Sequence, residues 1–211
     1  MADLTLSEVD RLQTKEYWDE RYQKDEDDAK FDWFKTFADL EPFFRKHIDW
    51  ARAGELRVIM LGCGNSILSE ELYDEGLKNI TNVDFAETCI EQMKRKYADR
   101  PAMTWHVADV RDMAAIGSGE FDVAIDKGTL DALLSYTGSV WDIPDDIKAS
   151  GWSYMDEVHR VLKPGGRLLY ISYRQPHFAR PIIGREYWEL TQETIADPKG
   201  GFDYFGYVMQ Q

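Results

Sequence analysis

Residues 57–66 of the chain read RVIMLGCGNS, a mostly aliphatic run that turns directly into a glycine loop. An apolar run of this length is typical of a short buried strand. Gly62 and Gly64 then allow a tight turn, and they let a ligand approach backbone atoms that a Cβ would shield. A buried strand that ends in such a loop and leads into a helix is typical of the first unit of a parallel α/β sheet.

The rest of the chain continues this alternation of strand and helix. Short apolar or alternating runs predict four more strands with helical patterns between them. These strands are Asn79–Val83, Met103–Val107, Phe121–Ile125 and Arg167–Tyr173. In the helix before the last of them, Met155, Val158 and Leu162 share one face.

The C-terminal part of the chain predicts a hairpin. Two strand-like runs within 187–195 and 202–209 are separated by the turn-forming residues 197–201. The sequence therefore predicts an α/β fold, with a doubly wound and mostly parallel sheet that ends in an antiparallel hairpin. We expect one domain, in which residues 1–50 form an N-terminal helical lid segment and residues 51–211 form the core.

Acidic residues stand where the predicted strands end. Asp84, Asp109 and Asp126 close the second, third and fourth strands, as Gly62 closes the first. The carboxyl ends of parallel strands meet at one edge of a sheet, so we expect these four residues along one crevice. Each alone could equally be a turn or capping residue, but together they predict a ligand site. Asp84 is suited to accept hydrogen bonds from a ribose diol.

The glycine loop also limits which nucleoside the site can take. The dinucleotide fingerprint Gly-x-Gly-x-x-Gly needs a third glycine, for close approach to a pyrophosphate, where this chain has Ile67. The chain also lacks a second mononucleotide-binding half. Asp109 and Val110 fit an adenine, because the carboxylate can accept from the exocyclic amine and the valine offers a backbone amide. These features favour an adenosine cofactor without phosphates, S-adenosylmethionine.

Aromatic residues cluster near the N-terminus. Trp18 and Tyr22 are four residues apart, which places them on one face of a predicted helix, and Trp33 follows. One interpretation is a helix that docks through its aromatic side chains. Another is a lid over the cofactor, because aromatic faces attract a cation such as a sulfonium by about 0.5–2 kcal/mol. The two are compatible, since a docked lid is also packed.

Acidic side chains outnumber basic ones. With 25 Lys and Arg against 39 Asp and Glu, the formal net charge is −14 at pH 7. This excess argues against direct nucleic-acid binding, which depends on basic side chains that neutralise phosphates. It favours a basic protein partner, attracted by charge complementarity. An acidic surface that serves only solubility is the alternative.

The sequence predicts no membrane segment, metal site or disulfide. No apolar run approaches the ~20 residues needed to span a bilayer, and residues 1–8 lack the features of a signal peptide. The four histidines and the two cysteines, Cys63 and Cys89, show no metal-ligand spacing. We therefore expect a cytoplasmic protein with reduced thiols, and we expect it to be a monomer.

Three motifs resemble those of a known family. Residues 61–66 (LGCGNS), 126–134 (DKGTLDALL) and 161–166 (VLKPGG) resemble the motifs of class I S-adenosylmethionine-dependent methyltransferases. The second run, with residues 16–22 (EYWDERY) and 176–178 (PHF), resembles the branch that methylates lysines of eukaryotic elongation factor 1-alpha. The likeness extends from about residue 15 to the C-terminus. The glycine loop is common to many methyltransferases, whereas the run from Asp126 is far more specific.

This resemblance implies a seven-stranded Rossmann-like sheet, a protein lysine as methyl acceptor and S-adenosylhomocysteine as product. It also implies a set of cofactor contacts, and it assigns no catalytic acid or base. The implied contacts are Trp18, Tyr22 and Trp33 from the lid, Gly62 and Gly64 in the loop, Asp84 and Phe85 at the ribose and adenine, Asp109 and Val110 at the adenine edge, and Lys127 near the reacting methyl group.

The sequence constrains the substrate less than the cofactor. Residues 135–149, with Trp141 and Pro144, depart from the family's pattern where a substrate-facing loop is expected. A loop that closes a small pocket would favour a small-molecule methyltransferase, and a scaffold without activity is a third interpretation. His177, beyond the fifth strand, is a candidate for substrate contact or for a local hydrogen bond.

Overall fold

The computed structural model describes residues 6–24, 33–139, 141–197 and 200–211. Its strands are β1 (Arg57–Leu61), β2 (Asn79–Asp84), β3 (Met103–Val107), β4 (Phe121–Lys127), β5 (Leu162–Ser172), β6 (Glu189–Ile195) and β7 (Tyr204–Gln210). Its α-helices are α1 (Leu6–Val9), α2 (Lys15–Lys24), α3 (Phe37–His47), α4 (Leu68–Asp74), α5 (Glu87–Lys96), α6 (Thr129–Leu133), α7 (Asp145–Val161) and α8 (Pro176–Ile183). The strands form one sheet in the order β3-β2-β1-β4-β5-β7-β6.

Five parallel strands form most of the sheet. β1 pairs with β2 and β4, β2 also pairs with β3, and β4 also pairs with β5. Leu61, the last residue of β1, is level with Val83 on one side and with Asp126 on the other. The carboxyl ends therefore meet at one edge, as the sequence predicts, and the loops that follow β1 to β4 share that edge.

Helices cover both faces of the sheet. Val58 and Met60 of β1 pack with α3 and α4 on one face, and Ile59 and Leu61 pack with α6, α7 and α8 on the other. A strand that is buried on both faces reads as a continuous apolar run, which is why the stretch after Arg57 contains no polar residue. The doubly wound α/β fold predicted from the sequence is confirmed.

The predicted C-terminal hairpin is also confirmed. β7 pairs antiparallel with β5 and with β6, so the hairpin extends the parallel part of the sheet. Gly206 of β7 lies against the ring of Phe43 in α3, where any Cβ would overlap that ring. The hairpin thus packs against a helix of the N-terminal segment. Pro198 and Lys199 of the predicted turn lie outside the described residues.

One helix boundary was predicted wrongly. Leu162 does not extend the helical face of Met155 and Val158, because α7 ends at Val161 and Leu162 begins β5. The physical reason is strand pairing. Leu162 pairs with Phe121 of β4 and is therefore part of β5. The following residues, 163–166, lie within β5, where the pairing register with β4 shifts.

The segment expected as a substrate-facing loop is shorter than predicted. Of residues 135–149, those from Asp145 onward form the first turn of α7. Pro144 stands at the N-cap, and Asp145 and Asp146 occupy the first turn, where negative charge favours helix formation. Among the described residues of this segment, the irregular part is therefore confined to 135–139 and 141–144.

Candidate functional site

The ten residues predicted to contact the cofactor line a single cavity at the carboxyl edge of the sheet. They are Trp18, Tyr22, Trp33, Gly62, Gly64, Asp84, Phe85, Asp109, Val110 and Lys127. The loops after β1, β2, β3 and β4 form one side of the cavity. α2 and the segment before α3 form the other side, so the fold brings together residues that are far apart in sequence.

The glycine loop is packed too closely for side chains at two positions. Gly62 has a φ of +62°, and a Cβ there would overlap Thr129 of α6, whose Oγ1 donates a hydrogen bond to the carbonyl of Leu61 (2.7 Å). Gly64 has a φ of +51°, and a Cβ there would lie 2.8 Å from the hydroxyl oxygen of Tyr22. Only glycine adopts this conformation at little cost. The loop can therefore line the cavity in this conformation only with glycine at both positions.

Asp84, at the end of β2, holds the glycine loop. Its Oδ2 accepts a hydrogen bond from the backbone N–H of Gly64 (3.0 Å), and its Oδ1 accepts one from that of Ala86 (2.9 Å). Burial raises the pKa of Asp84 to about 6, although the two N–H groups favour the charged form. Each carboxylate oxygen can accept a further hydrogen bond, so the side chain can fix the loop and still bind a ligand.

Asp109, after β3, is paired with a neighbouring arginine. Arg111 Nη2 lies 2.6 Å from Asp109 Oδ2, and Arg111 Nε lies 2.9 Å from Oδ1. Burial raises the pKa of Asp109, but the hydrogen bonds and charge of Arg111 outweigh it and leave the pKa below its usual value. Val110 is buried next to this pair. The carboxylate is therefore ionised and held in place at the wall of the cavity.

Asp126, expected along the same crevice, does not line the cavity. Its Oδ1 accepts from the backbone N–H of Thr129 (2.8 Å), and its Oδ2 accepts from that of Leu130 (2.9 Å) and from the hydroxyl of Tyr154 (2.6 Å). Burial raises its pKa to about 7. Asp126 thus accepts the first two backbone N–H groups of α6 from a position before the N-cap residue Gly128, in keeping with the turn or capping role that the sequence left open.

The aromatic residues of the N-terminal segment form one cluster over the cavity. The rings of Trp18 and Tyr22 are stacked with centroids 5.7 Å apart, and Trp33 lies 5.8 Å from Trp18. Trp18 Nε1 donates to the carbonyl of Leu12 (2.7 Å). The guanidinium of Arg21 lies over Trp18 and Trp33. The cluster is therefore both packed and part of the cavity wall.

Lys127 connects this segment to the sheet. Its Nζ donates a hydrogen bond to the backbone carbonyl of Trp33 (2.7 Å). The next residue, Phe34, has a φ of +70°, which is unusual for a bulky side chain, and its ring lies against Gly128. The lysine that ends β4 thus holds the strained turn that carries Trp33 over the cavity.

Sequence reasoning missed several residues of the cavity wall. Thr129 and Asp131 line it from α6, and Phe34 and Tyr173 line it from the segments before α3 and after β5. The signal for the first two was present, because both belong to the specific run that begins at Asp126. Phe34 and Tyr173 stand in irregular segments, whose side-chain directions follow no sequence period.

His177 and Trp141 lie outside this cavity. The ring of His177 stacks on that of Trp141 at 5.6 Å and contacts Phe178 at 3.9 Å, and Trp141 is 79% exposed. Within residues 6–24, 33–139, 141–197 and 200–211, no group of three or more His, Cys, Asp or Glu could hold a metal ion. No helix in those ranges is long and apolar enough to cross a membrane.

The strand order, the glycine loop after β1 and the cavity at the carboxyl edge together define the fold of class I methyltransferases. The N-methyltransferase NodS from Bradyrhizobium japonicum, solved with S-adenosyl-L-homocysteine, aligns with a TM-score of 0.59 and 16% identity over 92% of this chain and 96% of that one. A SAM-dependent methyltransferase from Leishmania major aligns with a TM-score of 0.65 and 13% identity over 94% and 85%. At these identities the likeness concerns the fold alone.

Sequence comparison gives the family. Residues 59–170 match the model of a methyltransferase domain. The chain is 35% identical over 198 residues to EEF1A lysine methyltransferase 4 of Mus musculus, which covers 93% of this chain and 74% of that protein. It is 33% identical over 207 residues to eEF1A lysine and N-terminal methyltransferase of Homo sapiens, of which it spans 28%. The chain therefore belongs to the methyltransferase-domain family, as its motifs predict.

Proposed function

We propose that the chain is an S-adenosylmethionine-dependent protein-lysine methyltransferase whose substrate is eukaryotic elongation factor 1-alpha. The observation that carries this proposal is the identity of 35–36% over 93% of the chain with relatives named for lysine methylation of that factor. The cavity at the carboxyl edge of the sheet supplies a place for the cofactor.

The residues of the cavity fit an adenosine cofactor. Gly62 and Gly64 bring the backbone of the loop to the cavity wall, where a Cβ would overlap Thr129 or Tyr22. Asp84 and Asp109 place a carboxylate at the end of two neighbouring strands, as the hydroxyls of a ribose and the amine of an adenine require. Trp18, Tyr22 and Trp33 line the cavity, and aromatic rings of this kind would attract the sulfonium charge of the cofactor. The site therefore accommodates both the nucleoside and the charged part of S-adenosylmethionine.

Each part of the cavity would then hold one part of the cofactor. The glycine loop would lie under the methionine portion, and Lys127 would stand near the reacting methyl group. The nucleoside contacts are Asp84 and Phe85 for the ribose and adenine, with Asp109 and Val110 at the adenine edge. We take residues 1–50, which carry Trp18, Tyr22 and Trp33, as a lid segment and residues 51–211 as the core of the same domain.

When bound, S-adenosylmethionine would supply a methyl group to a neutral amine, which attacks the methyl carbon in line with the thioether sulfur that leaves. The chain's residues align the acceptor and exclude water, and alignment of reacting atoms ~3–3.5 Å apart can contribute several kcal/mol. A lysine amine has an ordinary pKa of about 10.4 and is mostly protonated at pH 7, whereas burial in an apolar cavity disfavours the ammonium form. Among the ten predicted contacts we assign no catalytic acid or base.

The charge of the chain supports a protein substrate of basic character. A net charge of −14 attracts a basic partner over a distance comparable to the Debye length. The same charge disfavours nucleic acid as the partner. We propose that the enzyme acts as a monomer in the cytoplasm, in keeping with two buried free cysteines.

The direct test uses the purified chain, methyl-labelled S-adenosylmethionine and purified elongation factor 1-alpha that has not been methylated. We expect label on the ε-nitrogen of a lysine, located by mass spectrometry. The control is Gly62→Ala, which places a methyl group where Thr129 leaves no room, and Gly54→Ala is its match because a Cβ at Gly54 meets nothing within 4 Å. Absence of label on the factor, with S-adenosylhomocysteine bound, would contradict the proposed substrate.

A further inference from the structure

Trp141 exposes most of its ring to solvent, although it stands beside two other aromatic side chains. It is 79% exposed, its ring stacks on that of His177 at 5.6 Å, and it meets the ring of Phe178 edge-on at 4.8 Å. Single exposed hydrophobic side chains are common, whereas adjoining aromatic rings at the surface are typical of a site that a partner covers. We call these three side chains the Trp141 patch.

The loop that carries Trp141 is fixed to the core. Ile143 is buried among the residues of the main core. The backbone N–H of Asp142 donates to the carbonyl of Ser139 (2.9 Å), and the hydroxyl of Tyr136 lies 3.3 Å from the carbonyl of Asp142. A ring that is presented from a fixed loop loses little conformational entropy when a partner covers it. The patch is therefore preorganised for binding.

A second cavity lies between the Trp141 patch and the cavity proposed to hold the cofactor. Phe178 of the patch lines this second cavity. Its other walls are both polar and apolar, and they comprise Val9, Leu134, Ser135, Tyr136, Tyr173, Arg174 and Gln175. Val9, Ser135 and Tyr173 also line the cavity proposed to hold the cofactor. A protein segment that covers the patch would therefore lie close to the site of methyl transfer.

The surface next to the Trp141 patch is acidic. Asp142, Asp145 and Asp146 are all exposed. Lys148, which pairs with Asp145 at 3.2 Å, is the one basic residue in 141–149, so three acidic residues and one basic residue leave this stretch with a net charge of −2. Aromatic faces attract cations, and carboxylates attract Lys and Arg side chains. The combination therefore suits a basic segment of a protein.

We propose that the Trp141 patch and the acidic residues beside it dock a basic segment of the protein substrate. This inference rests on the proposed function, because it assigns the surface that recognises the substrate of the same active site. Two copies of this chain would each bring these carboxylates to the contact, so like charge disfavours a second copy as the occupant. A small-molecule acceptor would leave the patch uncovered.

Trp141→Ala tests the docking role in steady-state kinetics. The substrate is purified elongation factor 1-alpha that has not been methylated, at saturating S-adenosylmethionine. We expect KM for the factor to rise by about tenfold and kcat to stay within about twofold, because the lost contact serves binding and not the chemical step. Trp141 does not line the cavity proposed to hold the cofactor, so affinity for S-adenosylhomocysteine should not change in calorimetry.

Phe202→Ala is the matched control. Phe202 is 90% exposed and lies between β6 and β7, so the variant also removes an exposed aromatic ring. We expect it to leave KM for the factor within about twofold of the unaltered chain, as is usual for side chains outside an interface centre. An equal rise of KM in both variants, or no rise in Trp141→Ala, would overturn the assignment of docking to the Trp141 patch.

Asp142→Lys tests the charge beside the patch. We expect it to raise KM by about fivefold at low salt, and the difference from the unaltered chain should shrink as added salt screens the charge. Asp99→Lys makes the same change of net charge at a side chain that is 76% exposed, between α5 and β3 at the opposite edge of the sheet. Equal effects of the two variants would show that only net charge matters and would contradict the local assignment.

Two further outcomes separate this inference from the proposed function. If the unaltered chain forms a dimer in light scattering and Trp141→Ala is a monomer, the patch joins two copies and the inference is wrong, while the proposed enzyme remains. If the unaltered chain binds S-adenosylhomocysteine but puts no methyl group on a lysine of the factor, the proposed substrate itself is wrong, and the docking proposal is overturned with it.

Discussion

At the scale of single residues, two aspartates at the carboxyl ends of β2 and β4, the strands on either side of β1, have different roles. Asp84 lines the cavity, whereas Asp126 caps α6 and bonds to Tyr154. The difference arises from the pleat, because successive residues of a strand point to opposite faces. Position at a strand end could be predicted from the sequence. The direction of each side chain could not be predicted, because the face to which the side chain points depends on the exact residue at which the strand ends.

Asp84 gives a prediction at this scale. Asp84→Ala removes the acceptor for Gly64 N–H and for the ribose hydroxyls, so we expect S-adenosylhomocysteine binding to weaken by about 1–3 kcal/mol in calorimetry. Asp122→Ala is the control, because Asp122 pairs with Lys163 at the opposite edge of the sheet. Unchanged affinity in Asp84→Ala would contradict the ribose assignment.

At the scale of elements, α2 is held to the core by its aromatic face. Trp18 and Tyr22 pack with Cys89 and Met93 of α5, and Lys127 fastens the segment that carries Trp33. The lid and the docked helix, which are the two interpretations of this segment, therefore describe the same structure. We infer that this element contributes to cofactor affinity and to stability through the same side chains.

A substitution at Trp18 can distinguish the contribution to cofactor affinity from the contribution to stability. Trp18→Ala removes a ring from the cavity wall, and we expect the dissociation constant for S-adenosylhomocysteine to rise by about tenfold, in line with loss of a buried aromatic contact. Trp50→Ala, which removes a ring that lies against Arg45 away from the cavity, should lower stability alone. If Trp18→Ala also lowers only the melting temperature, Trp18 is a packing residue and not a lid residue.

The elements that could be predicted are those with strong local patterns. β1 to β4 begin where the sequence predicts, because each is a short apolar or alternating run between turn residues. The short helices α6 and α8 were not predicted, since five and eight residues give too little helical period to recognise. The start of β5 was misplaced because pairing with Phe121, a non-local contact, determined it.

At the scale of the whole molecule, buried carboxyl groups and surface ion pairs affect the pH dependence of stability in opposite directions. Burial raises the pKa of Asp84 and Asp131 to about 6 and that of Asp126 to about 7. In the unfolded chain these groups return to the ordinary value of 3.8. Between these values the folded state binds more protons than the unfolded state, so this contribution to stability falls as pH rises from about 4 to about 7.

We therefore expect the melting temperature to be higher at pH 6 than at pH 8, by about 2–4 °C for each kcal/mol that the buried acids contribute. Salt-bridged carboxylates such as Glu157 and Glu193, whose pKa values lie below their usual range, stay ionised throughout this interval and do not offset the trend. Asp126→Asn should show a smaller difference. A melting temperature that rises from pH 6 to pH 8 would contradict these pKa directions.

Protein-lysine methylation by this chain is tested by following the methyl group itself. The purified chain is incubated with methyl-labelled S-adenosylmethionine and a cytosolic extract, and protein-bound label is separated from small-molecule label. We expect label in a protein band of the size of elongation factor 1-alpha, traced by mass spectrometry to a lysine ε-nitrogen. Label confined to the small-molecule fraction would contradict it and would identify the chain as a small-molecule methyltransferase.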